Sequence, residues 1–278
     1  MFQYFYRERI ILKKFALIGE KVPYTYSPQI HKLWYQVKNI NATYGIEEIP
    51  MNEFDKRIHE VLDQYDGVNI TMPYKNKMMS VVDELDDVAK KIGAVNTVMK
   101  KNGKRMGYNT DLYGFSRMLD YFDVKINNKR VYIAGTGGAS KSVFHSIKER
   151  EPKKIVFLSR SQTSDWIEGA EIVSYGKFSE GDADVVVNAT PLGMSKHEGQ
   201  SPLGVDQIRG CESLVDLIYN PEKTLFLKQG DQLGLKTVNG LYMLVAQAIK
   251  SEEIWNDVTT TEDEMNKIYQ KIAQLMYN

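Results

Sequence analysis

Short apolar strands and helix-spaced apolar residues alternate along the first part of this chain. A strand pattern at 15–18 precedes helical spacing over 28–38. A second strand pattern at 43–49 precedes a helical stretch that Asn52 would cap, and a third strand pattern spans 67–72. Neighbouring parallel strands need a crossover connection, which is usually a helix. The order therefore predicts a mostly parallel sheet with helices packed against it, an α/β fold.

A second alternating run begins at Arg130. Its strand at 131–134 enters a glycine-rich turn, a helix continues through Ile147, and a strand follows at 155–158. These elements together form a βαβ unit, so we expect a second parallel sheet. The other patterns in this run are strands at 185–188, 214–217 and 236–238 and a helix over about 224–233.

Two domains are expected, because 278 residues exceed the commonest single-domain size. We place the first domain at 1–111 and the second at 112–239. After Gly240 the chain shows only helical patterns, with one apolar stripe over 241–249 and another formed by Ile268, Ile272 and Leu275. We expect these C-terminal helices, 240–278, to pack back on the first domain.

The charge balance and the cysteine count limit the classes of partner. Lys plus Arg and Asp plus Glu both number 36, which leaves no overall basic field for nucleic acid. No segment approaches the apolar length that a bilayer requires, so no membrane partner is expected. The single cysteine, Cys211, excludes an internal disulfide and suits a reducing cytoplasm. The four histidines lack metal-ligand spacing, so we expect no metal.

The first twelve residues, MFQYFYRERIIL, are aromatic and basic. They lack the uninterrupted apolar core and the small-residue cleavage site of a secretory signal. A loosely docked extension is the first interpretation, and an extra edge strand or a partner contact is the alternative.

The stretch GVNITMPYK has two unlike faces. Val68, Ile70 and Met72 fall on one side of the strand, Asn69 and Thr71 fall on the other, and Lys75 follows just beyond. Successive side chains of a strand point to opposite faces, so the polar pair shares one face. A solvated sheet face is the simpler interpretation. The alternative is a binding surface that ends at a lysine.

The stretch RVYIAGTGGASKSVFHSI places Gly135, Gly137 and Gly138 between an apolar strand and a helix. That is the context of a dinucleotide-binding turn, in which glycines let the backbone approach a pyrophosphate and the helix start supplies N–H donors. Ser140 stands where the third glycine of the pattern is usual. A plain tight turn is the alternative interpretation.

The strand that follows this helix ends in Ser159 and Arg160. An NAD enzyme usually carries an acidic residue there, to bind the ribose hydroxyls. A guanidinium can instead pair with a 2′-phosphate and stack on adenine, which favours NADP. Residues 162–166 add no second basic group, so the preference over NAD could be modest, and an exposed surface arginine is the alternative.

Polar clusters occur at three further points in the first domain. They contain Thr25 and Ser27, then Asn96, then Asn109 and Asp111. Each has a simple structural interpretation as a helix cap or a turn residue. Taken singly, none of these clusters indicates a site.

Seven motifs follow one another in an order typical of one enzyme family. They are PYTYSP, GVNITMPYK, GAVNTV, GYNTD, GTGGAS, NATPLGM and GLYMLVAQA. In this set the chain resembles the shikimate dehydrogenase family, which includes shikimate and quinate dehydrogenases, from about Phe15 to the C-terminus. The resemblance implies a substrate-binding catalytic domain, a Rossmann-type NADP-binding domain, and reversible NADPH-dependent reduction of 3-dehydroshikimate to shikimate in chorismate and aromatic amino-acid biosynthesis.

The resemblance also implies roles for individual residues. Lys75 and Asp111 would be the catalytic pair, which manages the proton on the substrate oxygen while the nicotinamide carries the hydride. The substrate would contact Thr25, Ser27, Asn69, Thr71, Asn96, Tyr219 and Gln247. NADP would contact Gly135, Gly137, Gly138, Ala139, Ser159, Arg160, Asn188, Thr190, Gly240 and Met243.

One departure from the family pattern leaves the substrate open. Thr25 stands where the family more often has serine, which adds a methyl group beside the hydroxyl. A quinate or dual quinate/shikimate dehydrogenase is therefore an alternative. A non-enzymatic NADP-binding module is a second alternative, which the retention of Lys75 and Asp111 disfavours. Both a monomer and a homodimer are compatible with the sequence.

Overall fold

The structure of this chain is a computed structural model that describes residues 12–23, 25–161 and 164–278. The chain divides into two units: unit 1 extends to Asn109 and includes Ser251–Glu264, and unit 2 comprises Thr110–Lys250 and Met265–Asn278. The domain boundaries expected from the sequence, after 111 and before 240, stay a prediction. The expectation for the first twelve residues falls, except for Leu12, outside the described residues.

Twelve strands in two sheets are formed by the described residues. The strands of the first sheet are β1 Lys13–Gly19, β2 Ala42–Glu48, β3 Gly67–Ile70, β4 Glu84–Leu85, β5 Thr97–Lys101 and β6 Lys104–Tyr108. Those of the second are β7 Arg130–Ala134, β8 Lys154–Leu158, β9 Glu171–Val173, β10 Val185–Asn188, β11 Ser213–Asp216 and β12 Lys236–Val238.

The helices in the described part of the chain are α1 Ser27–Lys38, α2 Phe54–Asp63, α3 Asp87–Ile92, α4 Asp111–Tyr121, α5 Gly138–Lys148, α6 Val205–Ile208, α7 Leu225–Gln232, α8 Leu241–Asn256 and α9 Glu262–Tyr277. Short 3₁₀ turns occur at Met51–Glu53, Lys77–Ser80, Tyr175–Lys177 and Ser195–His197. Among these described helices, none combines the length and the apolar composition that a membrane crossing requires.

Unit 1 is built on a six-stranded sheet in the order β2-β1-β3-β5-β6-β4. β1 pairs in parallel with β2 and β3, whereas β5 is antiparallel to β3 and β6. Asn102 and Gly103, both with positive φ, form the tight turn between β5 and β6, as such a pair does in hairpins. The expected α/β layer is confirmed, and its antiparallel part consists of β5, which is antiparallel both to β3 and to its hairpin partner β6.

Unit 2 is built on a six-stranded sheet in the order β12-β11-β10-β7-β8-β9, with every pair parallel. Strand order reverses beside β7, the first strand of the unit, as in the Rossmann-type fold. The predicted βαβ unit is therefore confirmed as β7-α5-β8. Cys211 packs in the core of this unit, and burial raises the pKa of its thiol to about 12, so the thiol is inert at neutral pH.

Three local expectations differ from the structure. Asn52 lies inside a 3₁₀ turn and α2 begins at Phe54, so the predicted Asn52 cap is wrong. β3 ends at Ile70, and Met72 is 77% exposed, because the chain leaves the sheet before Pro73 and no longer alternates. Leu275 is 62% exposed. The buried stripe of α9 is formed instead by Met265, Ile268 and Ile272.

Candidate functional site

The strand β3 and the turn after it carry the most distinctive motif of unit 1. Val68 and Ile70 are 1% and 2% exposed in the core, and Asn69 on the opposite face is 6% exposed. Beyond the strand, the buried Tyr74 donates its hydroxyl to the Ile49 carbonyl at 2.5 Å and stacks on Phe54. This anchor holds the turn between the strand and Lys75, so the lysine backbone has a defined position.

Backbone hydrogen bonds join this turn to the GAVNT segment. The N–H of Val95 donates to the Lys75 carbonyl at 2.8 Å, and the N–H of Ile70 donates to the Asn96 carbonyl at 2.8 Å. Asn96 is also held by its own N–H, which donates to the Tyr108 carbonyl at 3.0 Å. The fold of unit 1 therefore brings Lys75 and Asn96, which are 21 positions apart in the sequence, onto adjoining backbone.

Thr25 and Ser27 lie together at the start of α1. The Thr25 hydroxyl donates to Ser27 Oγ at 3.0 Å and accepts from the Ser27 N–H at 3.1 Å. Tyr26 occupies the N-cap position without a side-chain cap bond, so neither hydroxyl is the N-cap of α1. Ser27 is 7% exposed, and Thr25 satisfies the first backbone N–H of α1, that of Ser27, from just outside the helix.

In unit 2, Asp111 is the first residue of α4, where a carboxylate faces the helix N-terminus. α4 packs closely on α8 at Gly114, because a Cβ there would lie 2.7 Å from the Met243 carbonyl and 2.9 Å from Gln247 Cβ. The fold of unit 2 therefore brings Asp111, Met243 and Gln247 into one neighbourhood. Lys75 belongs to unit 1 and Asp111 to unit 2, so their pairing stays a prediction.

The glycine-rich turn connects β7 to α5. Gly135 has φ of +98°, and a Cβ there would lie 2.9 Å from Thr190, so glycine is required by conformation and by space. Gly137 is the N-cap of α5, and the backbone from Gly137 to Ala139 is exposed. Ser140 is fully buried and donates its hydroxyl to the Gly135 carbonyl at 2.9 Å, which explains why a serine serves in place of the third glycine.

An open groove of about 970 Å³ adjoins this turn, within the size range of small-molecule sites. Arg160 lines it at the end of β8, together with Ser159 and Ser161. The groove is completed by Gly135, Thr136, Gly137, Tyr175, Ala189, Thr190, Pro191, Leu192, His197, Gln200 and Pro202. An arginine therefore lies beside the glycine-rich turn at the start of α5, an arrangement suited to a ligand with more than one phosphate.

A buried carboxylate holds the turn that forms one wall of the groove. Asn188 is fully buried; its Oδ1 accepts from Thr190, and its Nδ2 donates to the Leu192 carbonyl and to Asp216 Oδ1 at 3.0 Å. Asp216 also accepts from the Ile218 N–H and from the Thr224 hydroxyl. Asn188 and Asp216 thus support the groove wall from behind.

Burial raises the pKa of Asp216 to about 6, although its three hydrogen-bond donors oppose the shift. A carboxyl with a raised pKa binds its proton more tightly when folded, so its contribution to stability is present below the unfolded pKa and is lost as pH rises through about 6. We therefore compare the free energy of unfolding of the wild type with that of Asp216→Asn. The difference, wild type minus variant, should fall by on the order of 3 kcal/mol between pH 4 and 7. Urea titrations across that range measure it, and a flat or rising difference would contradict it.

Gly240 sits where α8 begins beside the end of β11. A Cβ at this glycine would lie 2.1 Å from the Leu217 carbonyl oxygen, and its N–H donates to the Ile218 carbonyl at 3.1 Å. Only glycine permits this approach. Tyr219 follows in the same loop, and its carbonyl accepts from the Tyr277 hydroxyl at 2.5 Å.

Sequence reasoning missed several residues that shape these sites. Gly114, Asp216 and Trp166, whose indole donates to the Thr136 carbonyl at 3.0 Å, act through contacts between segments far apart in the chain. A glycine in the middle of the helix at 111–121 was the available signal for Gly114, because such a residue usually has a packing reason. Among residues 12–23, 25–161 and 164–278, no group of three His, Cys, Asp or Glu side chains could hold a metal ion.

Comparison with known proteins gives consistent matches over nearly the whole chain. Residues 17–98 match the family model described as the shikimate dehydrogenase substrate binding domain. A shikimate dehydrogenase (NADP(+)) from Clostridium perfringens (strain 13 / Type A) is 37% identical over 268 residues, which cover 94% of this chain and 98% of the relative.

Solved structures agree in fold. A chorismate mutase/shikimate 5-dehydrogenase fusion protein from Clostridium acetobutylicum aligns with a TM-score of 0.92 and 38% identity, covering 96% of this chain and 99% of that one. Shikimate 5-dehydrogenase from Thermus thermophilus, in complex with NADP(H) and shikimate, aligns with a TM-score of 0.84 and 27% identity, covering 94% of this chain and 99% of that one.

Proposed function

This chain belongs to the shikimate dehydrogenase family, and we infer from that membership that it is an NADP-dependent shikimate dehydrogenase. It catalyses the reversible reduction of 3-dehydroshikimate to shikimate in aromatic amino-acid biosynthesis. The observation that carries this conclusion is that the similarity spans both units, the one with the polar face of β3 and the one with the nucleotide groove. A relative that shared only one unit would support a weaker conclusion.

The substrate side of the proposal involves residues of both units. Ser27, Thr71 and Asn96 of unit 1, with Thr25 beside them, would bind the hydroxyls and the carboxylate of shikimate, together with Tyr219 and Gln247 of unit 2. Hydroxyl and amide side chains suit a polyhydroxylated ring because each can donate and accept hydrogen bonds. The polar face of β3 would then lead to the carbon whose oxidation state changes.

The proton and the hydride have separate sources in this proposal. NADPH supplies a hydride to the ketone carbon, and the Lys75–Asp111 pair supplies a proton to the oxygen; oxidation of shikimate reverses both transfers. An ammonium next to the forming alkoxide also stabilises its negative charge. Two strongly interacting groups titrate together, so the proton is assigned to the pair.

The cofactor side uses the groove of unit 2. The pyrophosphate would lie over the backbone N–H groups of Gly137, Gly138 and Ala139 at the start of α5. Arg160, with Ser159, would pair with the 2′-phosphate, which distinguishes NADP from NAD. Gly135, Asn188, Thr190, Gly240 and Met243 would shape the remainder of the cofactor site.

Arg160→Ala is expected to raise the KM for NADP about tenfold or more and to leave the KM for NAD nearly unchanged, because only NADP offers a phosphate for charge-assisted hydrogen bonds. Initial rates with each cofactor at saturating shikimate measure the two constants. Arg209→Ala is a matched control, since Arg209 is about half exposed and pairs with Asp206 instead. An equal loss for both cofactors in Arg160→Ala would contradict this role.

The proposed function is tested by comparing turnover of shikimate and of quinate by the purified chain, each with NADP and with NAD. We expect the highest kcat/KM for shikimate with NADP. A preference for quinate, whose ring carries one more hydroxyl, would overturn the substrate assignment. Binding of NADP without turnover of either acid would overturn the enzymatic assignment.

A further inference from the structure

Unit 1 contains a buried chain of hydrogen bonds that runs from Tyr44 to Asn96. Its members, which we call the polar chain, are Tyr44, Asn69, Ser251, Thr97 and Asn96. Tyr44 is half-buried, and the other four are between 0% and 6% exposed. The chain ends at Asn96, a proposed substrate contact, and the proposed reaction assigns no chemical step to its other members.

The direction of these bonds follows from the chemistry of the Asn69 amide. Asn69 lies 3.3 Å from the carbonyl oxygen of Asn96, which can only accept, so the nitrogen of the amide must face it. The amide oxygen then faces Tyr44, whose hydroxyl donates to it at 2.8 Å. Burial and the charge of Glu252 raise the pKa of Tyr44, against the opposing hydrogen bond from Ser27, so this phenol keeps the proton that it donates.

The far end of the polar chain determines the orientation of Asn96. Asn69 Nδ2 donates to Ser251 Oγ at 2.9 Å and to Thr97 Oγ1 at 3.1 Å. Thr97 Oγ1 donates to Asn96 Oδ1 at 3.0 Å and lies 2.8 Å from Ser251 Oγ, in a contact in which either hydroxyl can be the donor. The oxygen of the Asn96 amide is therefore turned toward Thr97, and its nitrogen lies on the opposite arm.

We propose that Tyr44, Asn69 and Thr97 are positioning residues for the substrate: the polar chain fixes the orientation of the Asn96 amide, which is a substrate contact in the proposed reaction. This inference rests on the proposed function. It also moves Asn69 from a contact with the substrate to a support behind it, since both arms of its amide are engaged inside unit 1. An Asn96 amide rotated by half a turn would exchange the positions of its donor and its acceptor.

Neighbouring side chains also hold the ring of Tyr44 in place. The Tyr44 ring stacks on the His31 ring at a centroid distance of 3.7 Å, and His31 Nδ1 lies 2.5 Å from Glu252 Oε1. Glu252 accepts in turn from Asn256 Nδ2 at 2.8 Å. Tyr44 is thus held by its ring as well as by its hydroxyl, which restricts the direction in which the hydroxyl can donate.

Thr97→Val tests the inference, because it removes the hydroxyl and keeps the shape of the side chain. We expect the KM for shikimate to rise roughly tenfold, with the KM for NADP unchanged, and Thr97→Ser to restore the wild-type KM. Thr260→Val is the matched control: it removes the acceptor of the buried Trp34 indole in the same unit and should lower the melting temperature without raising the KM for shikimate.

The double variant separates positioning from general damage to the site. If Thr97 acts through Asn96, adding Thr97→Val to Asn96→Ala should change the KM for shikimate by less than about twofold. Independent effects that multiply in the double variant would overturn the inference. So would a rise in KM for Thr260→Val equal to that for Thr97→Val.

A measurement without substrate keeps the inference separate from the proposed function. The side-chain amide signals of Asn96 in a nitrogen–proton correlation spectrum can be assigned by their loss in Asn96→Ala. We expect these signals to shift and broaden in Thr97→Val and to keep their wild-type positions in Thr97→Ser. Unchanged signals in Thr97→Val would overturn the inference that the polar chain orients Asn96. Absence of shikimate turnover by the wild type would overturn the proposed function alone.

Discussion

Replacement of Lys75 by alanine is expected to lower the turnover of shikimate by roughly 10²-fold or more, the usual scale for a positioned proton-transfer group. The ammonium would no longer stabilise the charge on the substrate oxygen or share a proton with it. The Lys75 backbone is held by Val95 and by the anchor at Tyr74. The alanine variant should therefore keep the fold and the KM for NADP.

Steady-state rates at saturating shikimate and NADP measure this effect, and a thermal melt checks the fold. Lys77→Ala is the matched control two positions away, because Lys77 pairs with Asp55 at 2.8 Å and lies over the Phe54 ring. We expect that control to retain wild-type turnover. Equal rates for Lys75→Ala and the wild type would remove Lys75 from the chemistry.

Of the substitutions described, removal of the buried carboxylate of Glu252 is expected to cause the largest loss in the free energy of unfolding. Glu252 is fully buried, and His31, its partner at 2.5 Å, is 1% exposed. Glu252→Ala would leave the imidazole and the Asn256 amide without their shared acceptor. Each buried polar group left without its partner costs about 1–3 kcal/mol, so urea unfolding should show a loss on the order of 3 kcal/mol.

Two further variants identify the cause of the loss. Replacing both partners, His31→Leu with Glu252→Leu, should recover much of the stability, because the imidazole that Glu252→Ala leaves unsatisfied is removed and only the Asn256 amide loses a side-chain acceptor. Glu60→Ala removes an exposed carboxylate from α2 of the same unit and should change stability by no more than about 0.5 kcal/mol. A cost for Glu252→Ala as small as that for Glu60→Ala would show that the buried pair contributes little.

Local patterns in the sequence predicted most of the architecture. The alternation at 15–18, 28–38 and 67–70 reflects the different periods of strands and helices, and these periods depend on residues only two to four positions apart. The glycine-rich turn could be located for the same reason, since Gly135 has the positive φ that such a turn requires. The start of α2 near Asn52 and the burial of Leu275 in α9 were less predictable.

Some features of the candidate site could also be predicted from the sequence, and others could not. The motifs identified Lys75, Asp111, Asn96 and Arg160 as residues of interest, and their roles stay proposals that the variants above test. The sequence alone could not show that the amide of Asn69 is engaged on both arms. Its partners Tyr44 and Ser251 lie 25 and 182 positions away.

The sequence by itself determined most of the segments that form strands and helices, because their periods depend on near neighbours in the chain. Tertiary structure alone decided which buried polar groups meet, as Glu252 meets His31 across 221 positions and Asp216 meets Asn188 across 28. A buried donor or acceptor must find a partner wherever the fold places one. The spacing of two residues in the sequence does not show whether their side chains meet in the fold. The polar groups that support the site can therefore be identified only in the folded chain.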